Sequence, residues 1–444
     1  MALSLGVHIV LSCLGVALPA LIYVVHRRGL RGDAAGLTLA RRWSKVAAVL
    51  FAVGAVSGTV LSFEMGLLWP GLMGRFGAVI GLPFAFEGIF FFLEAIFLGI
   101  YLYGWRGLPA RWHLATLVPV ALSGVGGTLC ILAVNAWMNH PSGFDIAHYA
   151  TTGQVRGVNP WAAMFNPALP TQFVHMLFAA YLVTAGLVAS VYAVGWLRGR
   201  RDPIHRLAIG VAVAVLAVAA PLQLVTGDLA TRYVERAQPA KFASLELVPE
   251  TRTHAPFTIG GVLVDGRVRA AIEIPDLLSL MLHARSGAAV RGLDQVPADE
   301  RPPVNVVRVA FQLMVAAGTF LVALAAWTGW SWWRRRRLPV SRWYLRAVVL
   351  TGPAALLALE AGWTTTEVGR QPWIARGVLR VADAVTPRGG VAWSLAALAA
   401  VYAGLTVSSI VVVRGMSRRW AAGGDVEAPY EPVATEPEAQ EARR

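Results

Sequence analysis

His8, Glu87, Glu94, His175, Met314 and Glu367 are the side chains that could do chemistry here. Each lies inside or at the edge of a hydrophobic stretch that otherwise carries almost no charge. Ionisable groups in a bilayer are costly and mark functional positions. Imidazole and thioether ligate metals, while carboxylates both ligate metals and carry protons, so the set predicts a buried redox site. His175 and Met314 suit the two axial positions of a low-spin haem, a pair that raises the iron potential as an electron acceptor requires. The bland reading makes the histidine a helix–helix hydrogen-bonding residue and the methionine packing. Glu87 and Glu94 are two helical turns apart and so share one stripe. Set among Phe90, Phe91 and Phe92, they read as proton-relay acids rather than structural hydrogen bonders.

The elements that must position these groups are membrane helices. The chain of 444 residues is 56% hydrophobic and 14% charged, with a mean hydropathy of +0.57, far from the charge content of a soluble domain. The net charge of +14 comes almost wholly from arginines flanking hydrophobic runs, Lys45 and Lys241 being the only lysines. That pattern belongs to membrane topology and argues against nucleic-acid binding. Cys13 and Cys130 sit in apolar runs outside any CxxC or CxxCH setting, so they read as packing residues.

Nine stretches are long enough to span, at 3–25, 45–67, 83–105, 113–137, 171–195, 204–226, 307–330, 341–363 and 391–414. The first has no basic n-region and is read as a mature helix. The fold class expected is an all-α membrane protein, a haem-binding helical bundle. Arginine clusters follow the first, third, fifth, seventh and ninth spans, which puts the N-terminus outside and the C-terminus in the cytoplasm. The six groups then fall near the outer face, with Glu64 close by. The loop after the eighth span departs from the rule, carrying Arg370, Arg376, Arg380 and Arg388 on the translocated side. Either a buried anion holds them there or the loop is simply wet.

The chain therefore divides into spans one to six over 1–226, an extracytoplasmic loop over 227–306, spans seven to nine over 307–420, and a tail over 421–444. A connection as long as 227–306 is functional or disordered. The acidic, Pro/Ala-rich tail reads as disordered. No internal repeat is evident.

Several stretches resemble subunit I of the cytochrome bd-type quinol oxidases, in their short quinol-loop form. They are GWTTTEVGRQPWIARGVLRVADAVTP from Gly362, with its GRQPW signature, EGIFFFLEAIFLGIYLYGW, NAWMNHP, FVHMLFAAYL and QPAKFASLE. The resemblance covers nearly the whole chain. It implies a quinol:dioxygen oxidoreductase of the bacterial cytoplasmic (inner) membrane, oxidising quinol outside, reducing dioxygen to water and building a proton gradient without pumping. It further implies three haems. His175 and Met314 would hold the low-spin haem b, and His8 and Glu367 would each ligate one of a high-spin pair, haem b and haem d or a further haem b. Glu87 and Glu94 would serve the dioxygen site, Asn135 would lie near it, and Arg370 would stabilise propionate or reduced-haem charge. Lys241 and Glu246 would bind quinol and take its protons. The implied partners are subunit II and a small single-helix subunit.

Two positions depart from that pattern. Gln312 stands where many relatives carry an arginine two residues before the methionine, and Glu87 and Glu94 are one residue closer than in some members. Two rival readings remain at this stage. One is a haem protein of the same fold without oxidase activity. The other is an ion-coupled secondary transporter, for which the missing repeat symmetry is a mark against.

Overall fold

The computed structural model describes residues 1–387 and 389–424. Arg388 and the tail from 425, on which the expected disorder falls, lie outside the described residues. Among those described, nine helices are long and apolar enough to cross a membrane. They are α1 (Ala2–Gly29), α2 (Ala34–Leu68), α3 (Pro70–Tyr103), α4 (Ala110–Asn139, broken at Thr116), α5 (Leu169–Leu197), α6 (Pro203–Ala237), α8 (Val304–Arg335), α9 (Arg342–Val368, broken at Leu350) and α10 (Val391–Ala421). A shorter helix, α7 (Pro239–Leu245), lies in the long connection between α6 and α8.

Each helix covers its expected span to within two residues, α3 stopping at Tyr103 and α9 starting at Arg342, and each runs further at one end or both. Hydropathy ends where charge begins, whereas a helix continues through charged residues whose heads reach water or headgroups. Thus α2 starts behind Asp33 and carries Arg41, Arg42 and Lys45 in its first turns. Similarly, α3 starts at Pro70, where a proline costs no hydrogen bond. The helix α6 continues past the expected boundary to Ala237.

The packing forms two groups of four. α1 packs against α2, α4 and α5, and α3 against α4, while α5, α6, α8 and α9 form the second group. The largest core joins them, with Cys13 and Val16 of α1 packed against Ala185, Leu216, Leu321 and Leu359. Polar stitches support it. Thr184 donates to the Cys13 carbonyl at 2.9 Å, and Ser190 to the Val349 carbonyl at 2.6 Å across the break in α9. α10 touches mainly α2 and leaves its apolar flank bare, with Trp393 83% exposed.

Between α6 and α8 the connection is ordered. After α7 comes an antiparallel hairpin, β1 (Phe257–Val264) and β2 (Arg267–Ile274), in register from Phe257↔Ile274 to Val264↔Arg267. Its turn is Asp265-Gly266, both at positive φ (50° and 74°), the pairing that a two-residue hairpin favours. Phe242, Val248, Leu278, Val290 and Leu293 give this segment a small apolar core of its own.

Candidate functional site

The chain's first end, where α1 begins, gathers most of the expected residues. His8 of α1 bonds Ser57 of α2 through Nδ1 at 2.7 Å, which leaves Nε2 for a metal. Gly58 lies beside this ring, where a Cβ would come within 3.1 Å of the imidazole carbon. One turn nearer the end, Glu64 accepts from Ser4 at 2.7 Å and pairs with the N-terminal ammonium at 3.1 Å. Glu64 is thus a structural tie between α1 and α2.

His175 and Met314 come from α5 and α8, two helices of the second group. His175 is set against α6, with Nδ1 3.3 Å from the Thr226 hydroxyl and Nε2 3.1 Å from the Gln223 amide nitrogen. Gly227 leaves space beside it. Met314 faces α9, where a Cβ on Gly362 would lie 2.9 Å from Sδ. Small residues therefore flank both candidate ligands, and Gln223 Oε1 is buried without a hydrogen bond beside His175.

Glu367, at the end of α9, anchors the most connected network. Its Oε1 accepts from Asn135 of α4 at 2.7 Å and its Oε2 from Arg370 at 2.5 Å. Asn139, one turn past Asn135, donates to the Asn135 carbonyl at 2.9 Å and accepts from Lys241 Nζ at 3.0 Å. Lys241 is thereby brought into contact with the Asn135–Glu367 network. Burial, reinforced by Arg370 against the opposing pull of Glu367, brings the Lys241 ammonium down to about 7. Its sequence companion Glu246 turns the other way and lies 3.8 Å from Arg308. Burial raises the Glu246 carboxyl to about 7 despite that cation.

Arg308 and Asn139 are the residues that the sequence analysis missed. Arg308 is fully buried and clamps the long connection onto α8. It donates to the carbonyls of Leu245 at 2.6 Å, of Gly260 at 2.7 and 2.9 Å, and of Thr258. Gln312, one turn on, accepts from the Gly260 amide at 3.1 Å, so the departure at this position is also spent on the hairpin. Arg308 left a signal, being an arginine inside a span. Asn139 could have been found as the i+4 neighbour of Asn135.

The loop arginines divide. Arg370 is 3% exposed, and its Nε and Nη1 are buried without partners. Arg376 holds the Ala237 carbonyl, and Arg380 forms a surface pair with Asp299 at 2.7 Å. The buried-anion reading suits the first and the wet-loop reading the last.

Glu87 and Glu94 are partly buried and, among the described residues, neither makes a hydrogen bond or ion pair. Glu94 packs at Gly15 of α1 and Gly124 of α4. Gly15 is seven residues below His8, about 10 Å along the helix. The common depth expected for all six residues therefore does not hold for Glu94. The physical reason is the early start of α3 at Pro70, which carries Glu94 towards the arginine-rich end.

Among the described residues no three His, Cys, Asp or Glu side chains gather as a chelate. The candidate ligands stand singly, on α1, α5, α8 and α9. That donor set suits a macrocycle that brings four nitrogens and needs only axial ligands. Glycines beside His8, His175 and Met314, and unpartnered buried nitrogens on Arg370, fit such groups and their acidic substituents.

Residues 1–420 match the family described as cytochrome bd terminal oxidase subunit I. The chain is 33% identical over 421 residues to a putative cytochrome bd menaquinol oxidase subunit I of Bacillus subtilis, covering 92% of this chain and 93% of that one. It is 29% identical over 443 residues to a cytochrome bd ubiquinol oxidase subunit 1 of the same organism, covering 96% and 92%. The bd oxidase structure from Geobacillus thermodenitrificans superposes with a TM-score of 0.86 at 38% identity, covering 94% of this chain and 96% of that one.

Proposed function

This chain belongs to the cytochrome bd terminal oxidase subunit I family, and on that footing we propose that it oxidises membrane quinol and reduces dioxygen to water. The observation that carries the reading is the Glu367 network. There a candidate axial carboxylate, the GRQPW arginine and the loop lysine form one buried hydrogen-bonded unit. In this reading the first end is extracytoplasmic and the arginine-rich end cytoplasmic, in a bacterial inner membrane.

His175 and Met314 would hold a low-spin haem b. His8 and Glu367 would hold a high-spin pair, one haem b and one haem d or a further haem b. Bound there, the haems supply the electron transfer and the oxygen chemistry. The chain supplies the rest. Thr226 orients His175 through Nδ1 while Gln223 would yield Nε2 to the iron, Ser57 orients His8, and Asn135 and Arg370 fix the two oxygens of Glu367. The segment 227–306 would be the quinol site, with Lys241 and Glu246 on either flank of α7. Glu87 and Glu94, free of competing partners, hold protons destined for oxygen. Quinol protons leave at the first end and oxygen-bound protons enter from the other, which charges the membrane without pumping. The bare apolar flank of α10 supports a seat for subunit II.

A reduced-minus-oxidised spectrum of the purified complex, with quinol-driven oxygen uptake, tests this reading. Haem bands with quinol-dependent uptake are expected. Haem without uptake would leave a non-oxidase haem protein, and no haem would sink both.

A pH dependence follows from Glu246. With its carboxyl near 7, the carboxylate that accepts a quinol proton is present above that pH and lost below it. kcat/KM for quinol should therefore fall as pH drops through about 7. Glu246→Gln should lower it by roughly 100-fold, at the small end for a proton acceptor, and abolish that limb of the profile. A variant that retains the limb would exclude Glu246 as the acceptor.

A further inference from the structure

A polar stripe runs down the start of α8. Asn305, Arg308 and Gln312 recur at i, i+3 and i+7, so they share one face of the helix. All three are bonded to the backbone of β1. The Asn305 carboxamide accepts from the Leu263 amide at 2.7 Å and donates to the Leu263 carbonyl at 2.9 Å. Arg308 donates to the carbonyls of Gly260 and Thr258, and Gln312 accepts from the Gly260 amide at 3.1 Å. From Leu263 to Gly260 the strand covers about 10 Å, as does the helix from Asn305 to Gln312. β1 therefore lies along α8, with its Gly260 end the deeper. The apolar stretch of α8 begins at 307, which puts Gln312 about 8 Å inside it. Val306, Val309 and Leu313, each one residue past a member of the stripe, are exposed and on a spanning helix face lipid.

At that level the hairpin presents an apolar face of its own. Ile259 and Ile272 are paired across the ladder and Ile274 follows two residues on, so the three point the same way. They are 45%, 67% and 39% exposed. Phe257, the partner of Ile274, turns instead into the segment's own core. Glu273, between the two isoleucines of β2, alternates to the other face. The charges of the turn, Asp265 and Arg267, are exposed and lie beyond Leu263, at the shallow end of the hairpin.

We propose that the hairpin is an interfacial element whose Ile259–Ile272–Ile274 face rests on phospholipid acyl chains of the leaflet in which α8 begins. Its depth matches the roughly 5–10 Å to which amphipathic interfacial helices sink an apolar face. The face also continues an established lipid surface, since the bonds from Asn305, Arg308 and Gln312 hold the strand beside the exposed flank of α8. Those bonds satisfy the β1 edge with side chains, which a strand withdrawn from water requires and a strand edge in water does not. The outer edge of β2 stays at headgroup level, where water reaches it. This placement needs only the spanning helices and not the oxidase reading. Under that reading it sets one wall of the quinol segment in the phase that carries quinol.

The test uses the intact complex in liposomes of phosphatidylcholine and phosphatidylglycerol. Cys13 and Cys130 are buried, which leaves labelling to an introduced thiol. A nitroxide on Ile272→Cys should collide with dissolved oxygen, which concentrates among acyl chains, and lose most of its collisions with a water-soluble nickel chelate. A nitroxide on Arg267→Cys, at the turn, should keep its nickel collisions. Equal nickel collisions at the two sites would put the face in water and overturn the proposal. Shielding of the 272 label from both reagents would overturn it too, because a protein partner would then cover the face. If Ile272→Cys does not assemble, Ile274→Cys is read in the same way. Both labels are read without turnover, so failure of the oxidase reading would change neither outcome.

Discussion

Met314→Leu should remove the low-spin haem signal while the high-spin signals persist. The substitution changes the donor atom and little else. Leucine and methionine are close in volume, and such swaps in a packed site typically cost under about 1.5 kcal/mol. The site is also apolar enough to accept it, since the methionine packs on the cluster of Leu245, Val307 and Phe311. Its sulfur lies against α9, where a Cβ on Gly362 would come within 2.9 Å of it. His175 is held from α6 by Thr226 at Nδ1 and does not depend on Met314 for its position. The fold and one axial ligand should therefore survive while the second ligand is lost. Quinol-driven turnover should fall by at least the roughly 10–100-fold seen when a metal loses even an outer-shell partner. The measurement is the reduced-minus-oxidised spectrum of the assembled variant. An unchanged low-spin band would remove Met314 from the ligand set.

The parts of this site that were legible in the sequence are those where cost is visible in one dimension. A histidine or glutamate inside an apolar run is conspicuous because the bilayer penalises it, which is how His8, Glu87, Glu94 and His175 stand out. All nine spans were legible for the same reason, and their ends were not. The membrane does not penalise a charge at a helix terminus, so hydropathy cannot tell a helix that stops from one that continues into the headgroups. That blindness misplaced Glu94. Counted from an expected start at 83 it belongs near the outer face, but α3 starts at Pro70 and delivers it to the level of Gly15. Partnerships were less legible still. Lys241 and Glu246 are five residues apart and look like a pair. On a helix that spacing turns them about 140° apart. Lys241 reaches Asn139 while Glu246 faces Arg308.

The division on α7 gives the long connection two different attachments. Through Lys241 it is tied to α4, and by way of Asn139 and Asn135 to Glu367. Through Arg308 it is tied to α8, two turns from Met314. In the oxidase reading, a quinol seated at this segment is therefore linked by hydrogen bonds to one candidate ligand helix and by backbone clamps to another. The first attachment is a chain of side-chain hydrogen bonds, the second a set of clamps on backbone carbonyls.

The attachment through Arg308 predicts the largest effect on structure, which is detachment of the segment in Arg308→Met. Arg308 is fully buried and satisfies the carbonyls of Leu245, Thr258 and Gly260, at the end of α7 and the start of the hairpin. It is also the cation beside buried Glu246. Methionine fills part of the volume but donates nothing. The variant thus removes the donor from the buried carbonyls of Leu245 and Thr258 and the part-buried one of Gly260, and leaves a carboxylate without its counter-charge. Breaking a buried pair in this way costs about 3–5 kcal/mol. The segment's own core is small, a handful of residues around Phe242 and Val248, so such a loss should open it rather than be absorbed. Trypsin should then cut rapidly at Arg252, Arg267, Arg269 or Arg285, which the hairpin and its flanks present to solvent. KM for quinol should rise by about tenfold or more, since each 1.4 kcal/mol is a factor of ten in binding. The low-spin spectrum should remain, because His175 and Met314 sit on α5 and α8 outside the opened segment. Arg308→Lys separates charge from geometry. It restores the counter-charge for Glu246 but cannot reach all three carbonyls at once, so it should recover the pH limb of quinol oxidation without recovering protease resistance. Parental resistance and KM in Arg308→Met would mean that the hairpin is held by α7 and its own core alone.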